Sequence, residues 1–375
     1  MDEPEPLACQ RHLFELPDHV AYLDGAAWSP VPLPVRQAGE AGMLAKSEPW
    51  RRSPESGEAW AERARAAAAG LIGAAPDDVA IVGSVSHAIA TAARNLPLAA
   101  GGRILRVADE FPSQRLAWDR IAAERGLAIE EVSRPADGDW TEALLAAIDR
   151  PGAPPLAVAT LTPLHWSDGA RIDLDRLAPR VRAAGGALVV DATQAVGAVP
   201  VDVARLQPDF LAFPTYKWVL GPYCLAFLYA APHRQRGVPL EENARNQPDG
   251  AAGARRYDRG ERNDPIGLPM AATGMELIAA WGPTAIAARL RRLTDRLAEG
   301  AAALGLPVLP RALRPPHILG LHLPGGMPAT LIERLRARDV FASDRLGALR
   351  LSPHVWASEA DIDRALDALR QELRA

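Results

Sequence analysis

Lys217 is the residue at which chemistry is most readily expected. The chain has 42 basic residues, and only two of them, Lys46 and Lys217, are lysines. Lys46 lies in the polar stretch MLAKSEPWRRS, which is typical of a solvated surface. Lys217 lies among apolar residues in LAFPTYKWVLGPYCLAFLY, where an ammonium group is costly unless it has a function. Because arginine stays protonated and cannot form a Schiff base, amine chemistry is expected at Lys217.

Asp191 is the second candidate, because it ends the apolar run LVVD. Taken alone, an aspartate at this place is typical of a helix N-cap. The next apolar run, DFLAF, leads directly to Lys217, so the two side chains would follow adjacent strands. Such a pair suits pyridoxal 5′-phosphate (PLP), because a lysine forms the Schiff base and a carboxylate keeps the pyridine nitrogen protonated. A lysine freed by substrate can then move a proton at the substrate's α-carbon.

The elements that would position these residues alternate between short apolar runs and helical patterns. The predicted strands are 79–82, 103–107, 128–132, 156–161, 187–190, 210–213 and 224–229. The predicted helices between them are 88–96, 112–123, 141–148 and 174–184. Apolar strands separated by helices predict an α/β fold with a parallel sheet covered on both faces. Ligands of such sheets bind beyond the carboxyl ends of the strands.

The last third of the sequence predicts a smaller α+β domain. Its predicted helices are 268–281, 285–304, 329–337 and 359–373, and its predicted strands are 318–323, 340–343 and 349–352.

Several motifs resemble the class V aminotransferases, which include cysteine desulfurases, kynureninases and isopenicillin N epimerase-like proteins. They are Asp-Ala-x-Gln, an Ala-Val-Pro-Val-Asp turn, Asp-Phe-Leu-Ala-Phe, and a lysine followed by Trp and a Gly-Pro pair. The opening AYLDGAAWSPVP and the closing LRLSPHVWASEADIDRAL are also similar to that family. The resemblance implies a PLP-dependent transferase fold of type I with a mostly parallel seven-stranded sheet. It further implies a large PLP-binding domain over 16–262 and a small domain over 263–375, against which residues 1–15 pack.

The same resemblance implies roles for residues around Lys217. Lys217 would hold PLP as a Schiff base, Asp191 would contact the pyridine nitrogen, and Gln194 would lie near the phenolic oxygen. Thr215 and Tyr216 stand where relatives place phosphate ligands. Phe111 stands where many relatives carry a histidine stacked on the pyridine ring; phenylalanine can stack but cannot shuttle a proton.

More distant segments complete the predicted site. Ser84, Ser86 and His87 lie at a strand-to-helix turn that suits a phosphate dianion, although plain helix capping by Ser86 explains the turn equally well. The resemblance places His165 near the cofactor, where a structural histidine is the alternative. It gives Arg350 the task of gripping a substrate carboxylate. Asn263 would reach the neighbouring subunit's site in an obligate homodimer, the alternative being a solvated charged turn.

These features predict an aminotransferase or lyase that acts on a small amino acid. Epimerisation stays open as an alternative. A cysteine desulfurase or selenocysteine lyase-like C–S lyase is disfavoured, because no cysteine lies in 340–350. Cys9 and Cys224 are interpreted as structural, and a role for Cys224 stays open only because it lies a few residues from Lys217. A PLP-fold binding protein without turnover is the non-enzymatic alternative, and the absence of GxGxxG after a strand counts against a nucleotide-binding enzyme.

Charge and composition restrict the partners. A formal net charge of −4 gives no reason to expect nucleic acid or an anionic membrane. The acidic N-terminal stretch lacks the basic start of a signal peptide, so we expect a cytoplasmic protein. No cysteine or histidine spacing predicts a metal site.

Overall fold

The computed structural model describes residues 4–247 and 250–373. The strands within these ranges are β1 (Ala21–Tyr22), β2 (Val79–Val82), β3 (Arg103–Val107), β4 (Ala128–Val132), β5 (Leu156–Leu161), β6 (Ala187–Asp191), β7 (Phe210–Pro214), β8 (Ala226–Ala230), β9 (Leu319–His322), β10 (Val340–Phe341), β11 (Ser343–Arg345) and β12 (Ala348–Leu351). The α-helices are α1 (Leu33–Ser47), α2 (Ser56–Ile72), α3 (Val85–Asn95), α4 (Pro112–Arg125), α5 (Trp140–Ile148), α6 (Leu174–Ala183), α7 (Val203–Leu206), α8 (Gly267–Trp281), α9 (Pro283–Ala303), α10 (Leu331–Arg336) and α11 (Glu359–Glu372).

The central sheet has seven strands in the order β2-β8-β7-β6-β5-β3-β4. β8 runs antiparallel to its neighbours β2 and β7, and the other pairs are parallel. The predicted α/β fold with a mostly parallel seven-stranded sheet is confirmed. One strand starts later than predicted: β8 begins at Ala226, so Cys224 lies in the preceding loop rather than in the strand.

Alternate residues of the central strands lie in two separate cores, which explains why the strands read as continuous apolar runs. In β6, Val189 packs in the core that also contains Phe210 and the buried faces of α3 and α4. Leu188 and Val190 point to the opposite core, which includes the buried residues of α5 and α6. Because both faces are covered by helices, the carboxyl edge of the sheet is left to form a site.

The C-terminal part contains a three-stranded antiparallel sheet in the order β11-β12-β9, with α9 and α11 packed together beside it. The N-terminal segment contacts this part, since the Leu7 N–H donates to the Ala285 carbonyl at 3.0 Å and the Gln10 N–H to the Val355 carbonyl at 2.9 Å. β1 pairs in parallel with β10. The division into 16–262 and 263–375 stays a prediction; α8, just beyond that boundary, packs against α1 and α2.

Helices α1 and α2, the four-residue helix α7, the short strand β1 and one strand break were not predicted from the sequence. α1 and α2 are rich in small residues and contain few large apolar side chains at helical spacing. Their close packing on the α8 region uses those small residues: a Cβ on Gly42 would lie 2.0 Å from the Pro265 carbonyl oxygen. The predicted strand 340–343 is divided into β10 and β11, which pair with different partners.

Residues 4–247 and 250–373 show neither a membrane-spanning helix nor a metal-binding cluster. No helix there combines the length and the apolar character that crossing a bilayer requires. No group of three or more His, Cys, Asp or Glu side chains in 4–247 and 250–373 is arranged to hold a metal ion.

Candidate active site

A cavity of about 580 Å³, which we call the cofactor cavity, opens at the carboxyl ends of β6 and β7. Eight of the residues predicted for the site line it: Ser84, Ser86, Phe111, Asp191, Gln194, Tyr216, Lys217 and Arg350. These residues come from both parts of the chain, so the cavity lies where the large sheet meets the C-terminal domain.

Lys217 lies three residues beyond β7 and lines the cavity in a half-buried position. Burial, reinforced by the Arg350 guanidinium, lowers the pKa of Lys217 to about 8. Its loop to β8 is strained, because Leu220 and Cys224 have φ angles of 58° and 60°, in the left-handed region that non-glycine residues avoid. A lysine of lowered pKa on a strained loop is typical of an activated amine.

Trp218 holds this loop in place. Its indole N–H donates to the side-chain oxygen of Gln194 at 2.7 Å. Two buried histidine rings, His317 and His354, pack against the indole with centroid distances of 4.5 and 5.0 Å. The backbone at Gly197 also lies close to Trp218: a Cβ on Gly197 would lie 2.3 Å from the Trp218 carbonyl oxygen. This packing fixes the direction of the adjacent Lys217 backbone.

Asp191 is the last residue of β6, and its carboxylate is buried. The Thr193 N–H donates to its Oδ1 at 2.9 Å. Burial raises the pKa of Asp191, and the Thr193 hydrogen bonds and the Lys217 charge only partly oppose this. Gln194 is oriented on the same turn, because its amide donates to the Ala26 carbonyl at 3.1 Å.

Glu110 is a buried residue of the cavity wall that the sequence interpretation missed. One oxygen accepts from the Phe111 N–H at 2.8 Å, and the other is buried without a hydrogen-bond partner among the described residues. Burial raises the pKa of Glu110 to about 8, to which the neighbouring Asp191 contributes. Its position three residues after β3 is the signal that could have revealed it, since it follows the carboxyl end of a parallel strand.

The N-terminus of α3 forms one end of the cavity. Ser84 caps the helix, with its hydroxyl accepting from the His87 N–H at 3.1 Å, and Ser86 lies in the first turn. Free N–H groups and two hydroxyls here suit an anion. The His87 side chain lies outside the cavity lining, 3.7 Å from Glu241.

Arg350, in β12, also lines the cavity. Its guanidinium is buried, donates to the Trp166 carbonyl at 2.8 Å and lies 3.5 Å from the Asp24 carboxylate. Burial lowers the pKa of Arg350 to about 10, although Asp24 acts against this shift. A second cation, Arg345, also lines the cavity and was not predicted.

Besides His87, three predicted residues lie outside the cavity lining. His165 is buried, stacked on Trp140 at 5.3 Å, and its neighbour Trp166 reaches the cavity instead. The Thr215 hydroxyl donates to the Pro222 and Leu225 carbonyls of the Lys217 loop. Asn263 packs against Gly57 of α2.

The chemistry of the cavity fits PLP. It offers an amine of lowered pKa for an aldehyde, a buried carboxylate for a pyridine nitrogen, and a helix N-terminus for a phosphate. Phe111, half-exposed and in edge contact with Trp166 at 5.3 Å, offers an aromatic face.

Comparison with known proteins gives consistent matches. The sequence profile of the family described as aminotransferase class-V matches residues 21–343. The isopenicillin N epimerase of Streptomyces clavuligerus is 30% identical over 335 residues, covering 82% of this chain and 83% of that protein. A kynureninase of Deinococcus radiodurans is 32% identical over 243 residues, covering 62% of this chain and 56% of that protein.

Solved structures agree on the fold. The apo structure of a cysteine desulfurase from Thermococcus onnurineus NA1 superimposes with a TM-score of 0.81 at 22% identity, covering 99% of this chain and all of that one. With the family match over most of the chain, these findings identify it as a member of the class V aminotransferase family of PLP-dependent enzymes.

Proposed function

We propose that Lys217 carries the PLP and moves a proton at the α-carbon of an amino acid, in a reaction of the aminotransferase or lyase type. The observation that carries this proposal is the placement of a lysine of pKa about 8 and a buried aspartate in one cavity. When bound, PLP supplies an electron sink for the charge that develops at the α-carbon. A lysine whose pKa is near neutrality can both accept and return the proton.

The remaining residues bind and orient the cofactor. Asp191, whose carboxylate is buried at the end of β6, would hold a proton at the pyridine nitrogen. Ser84 and Ser86 bind the phosphate together with the α3 N-terminus. Phe111 covers one face of the ring, and Gln194 lies near its phenolic oxygen.

Four predicted residues play supporting parts in this proposal. Thr215 and Tyr216 orient the Lys217 loop, and the Lys217 ammonium lies 5.4 Å from the centre of the Tyr216 ring. His87 and His165 pack behind the phosphate and ring positions.

The substrate is proposed to be an amino acid with a second acidic group. Arg350 grips the α-carboxylate, for which a guanidinium fork is suited. The Arg345 guanidinium makes no ion pair among the described residues, and its only hydrogen bond there goes to the Asp344 carbonyl. It is therefore available to a carboxylate on the substrate side chain.

Epimerisation is a second candidate, because a 30% identical relative is an isopenicillin N epimerase. It shares the removal of the α-proton and differs only in the face to which the proton returns. A desulfurase reaction is less well supported by residues 340–350, which contain no cysteine, but Cys224, which the sequence interpretation took as structural, is exposed and lines the cofactor cavity.

We further propose a homodimer whose subunits share active sites. Exposed apolar side chains lie on and just after α1, at Met43, Leu44 and Trp50, and such a group is typical of a protein interface. Asn263 has a buried side-chain oxygen without a partner among the described residues. Light scattering of the wild type should give the mass of a dimer, and a monomer would contradict the proposal. A cytoplasmic location stays a prediction from the sequence.

Exchange of the α-proton in D₂O tests the proposed reaction. Wild-type holoenzyme should replace the α-hydrogen of glutamate or aspartate with deuterium, as followed by ¹H NMR. Lys217→Ala should abolish the exchange, and the matched control Lys46→Ala should leave it unchanged. Exchange that survives in Lys217→Ala would refute the role of Lys217.

A further inference from the structure

A second cavity, which we call the arginine cavity, lies between the two parts of the chain. Its volume is about 320 Å³, and it is lined by residues within 163–206 on one side and 291–317 on the other. It shares no lining residue with the cofactor cavity. His317 stands in the wall between them, donating from Nε2 to the Gln194 carbonyl at 2.6 Å.

Five arginines line the arginine cavity, namely Arg171, Arg205, Arg291, Arg311 and Arg314. Three carboxylates pair with four of these, namely Asp173 with Arg171, Asp175 with Arg205, and Asp295 with Arg311 and Arg314, at 2.9 to 3.2 Å. Arg291 forms no ion pair among the described residues; it donates to the Arg314 carbonyl at 3.0 Å.

Two of these guanidinium groups have unsatisfied hydrogen-bonding capacity. Arg314 is 8% exposed, and its Nε and Nη1 are buried without partners among the described residues. The same holds for Nη1 of Arg291. Burial lowers the pKa of Arg291, and the charges of the neighbouring arginines add to the effect. A buried donor without a partner is costly, so an anion between these two groups would relieve both defects.

The wall formed by residues 163–206 is mostly apolar, which restricts the kind of anion; its charged residues form the ion pairs Arg171–Asp173 and Arg205–Asp175. Leu164, Ile172, Val201 and Leu206 are buried residues of this wall. Inorganic phosphate would leave the wall unused, whereas an organic acid would cover it while its charged end meets the arginines. We propose that the arginine cavity binds a small organic carboxylate with an apolar body, with its carboxylate on Arg291 and Arg314.

Binding of 3-(4-fluorophenyl)propionate to the holoenzyme, followed by ¹⁹F NMR, tests the proposal. This probe has no amino group and cannot react as a substrate. Saturable binding at millimolar concentration is expected. Arg291→Gln and Arg314→Gln should each weaken it by roughly tenfold or more, since each removes a charged hydrogen bond. The uncharged amide of the probe should not bind.

Two control variants separate this site from the cofactor cavity. Arg350→Gln removes the other carboxylate-binding group and should leave probe binding unchanged. Arg180→Gln removes an exposed arginine paired with Asp149 and should also have no effect. Retained visible absorption of the bound cofactor shows that each variant is folded. If Arg314→Gln does not fold, the binding of the probe to Arg291→Gln and the binding of the amide to the wild type test the proposal. Absent binding to the wild type, loss of binding in Arg350→Gln, or undiminished binding in Arg291→Gln would each overturn the proposal.

Discussion

Two buried clusters of charge in this protein differ in how completely their members are paired. In the first, the Arg65 guanidinium makes hydrogen bonds of 2.7 and 3.1 Å to Asp258, which also accepts from the Ile81 N–H at 2.8 Å. In the second, the cofactor cavity, the Lys217 ammonium makes no hydrogen bond or ion pair to another described residue, and the carboxylates that line the same cavity are buried. Glu110 there has a carboxylate oxygen with no partner in the described part of the chain.

This difference distinguishes charges that stabilise the fold from charges that are available to bind a ligand. A complete buried pair locks two segments together, and removing one member leaves the other unpaired. Incomplete pairing shifts pKa values and destabilises the empty fold, a cost that is typical of active sites. Removal of a charge should therefore change stability in opposite directions in the two clusters.

The largest change is expected from Asp258→Ala, which removes the buried partner of Arg65 and leaves it only the partly exposed Glu62 as an ion-pair partner. We expect the free energy of unfolding to fall by about 3–5 kcal/mol in urea titrations. Asp149→Ala breaks an exposed pair with Arg180 and should cost less than about 1 kcal/mol. Equal losses in the two variants would remove the distinction between the clusters.

Lys217→Met, in contrast, should raise the free energy of unfolding of the cofactor-free protein. Because the pKa of Lys217 is about 8 in the folded state and about 10.4 in the unfolded chain, the unfolded state binds more protons between these values. The wild type therefore carries a penalty that is full below pH 8 and disappears as the pH rises towards 10. The variant should be more stable by roughly 1–3 kcal/mol at pH 7, with Lys46→Met unchanged. Destabilisation, or a difference that does not vary with pH, would contradict this account.

Arg350→Gln tests whether a buried guanidinium of the second cluster serves the substrate. We expect kcat/KM to fall by roughly 10- to 100-fold, mainly through KM, because one charged hydrogen-bonding fork is lost. Arg350→Lys should recover part of the loss. Steady-state kinetics with an unaltered KM would assign Arg350 to structure.

Arg345→Gln should have the smallest effect, and the size of that effect should depend on the substrate. For glutamate or aspartate we expect KM to rise by roughly twofold to tenfold, since a partly exposed ion pair is weak. For alanine, which has no side-chain carboxylate, KM should not change. An equal effect on both substrates would refute the proposed selectivity for acidic amino acids.

The sequence predicts the central sheet well, because strands buried on both faces read as short apolar runs whatever their partners. All seven strands, including the pair that leads to Asp191 and Lys217, are present. Helices α1 and α2 are not predicted, because their small residues give no apolar periodicity and contribute only through close packing on α8.

The site is predicted less completely, because burial is a tertiary property. In the sequence, Glu110 and Arg345 are indistinguishable from ordinary surface charges. Only the fold shows that they line the cavity. His165 shows the opposite case: a histidine at a strand end is predicted to face the cofactor, but its ring stacks on Trp140 outside the cavity lining. The roles of all these residues stay predictions.

Borohydride reduction followed by peptide mass spectrometry tests the central claim most directly, because the chain has only two lysines. Reduction of the yellow holoenzyme should fix the cofactor on the peptide that contains Lys217 and leave the Lys46 peptide unmodified. Lys217→Ala should show neither the reducible absorption band nor a modified peptide. Cofactor fixed on Lys46, or a wild type that takes up no PLP, would contradict the account.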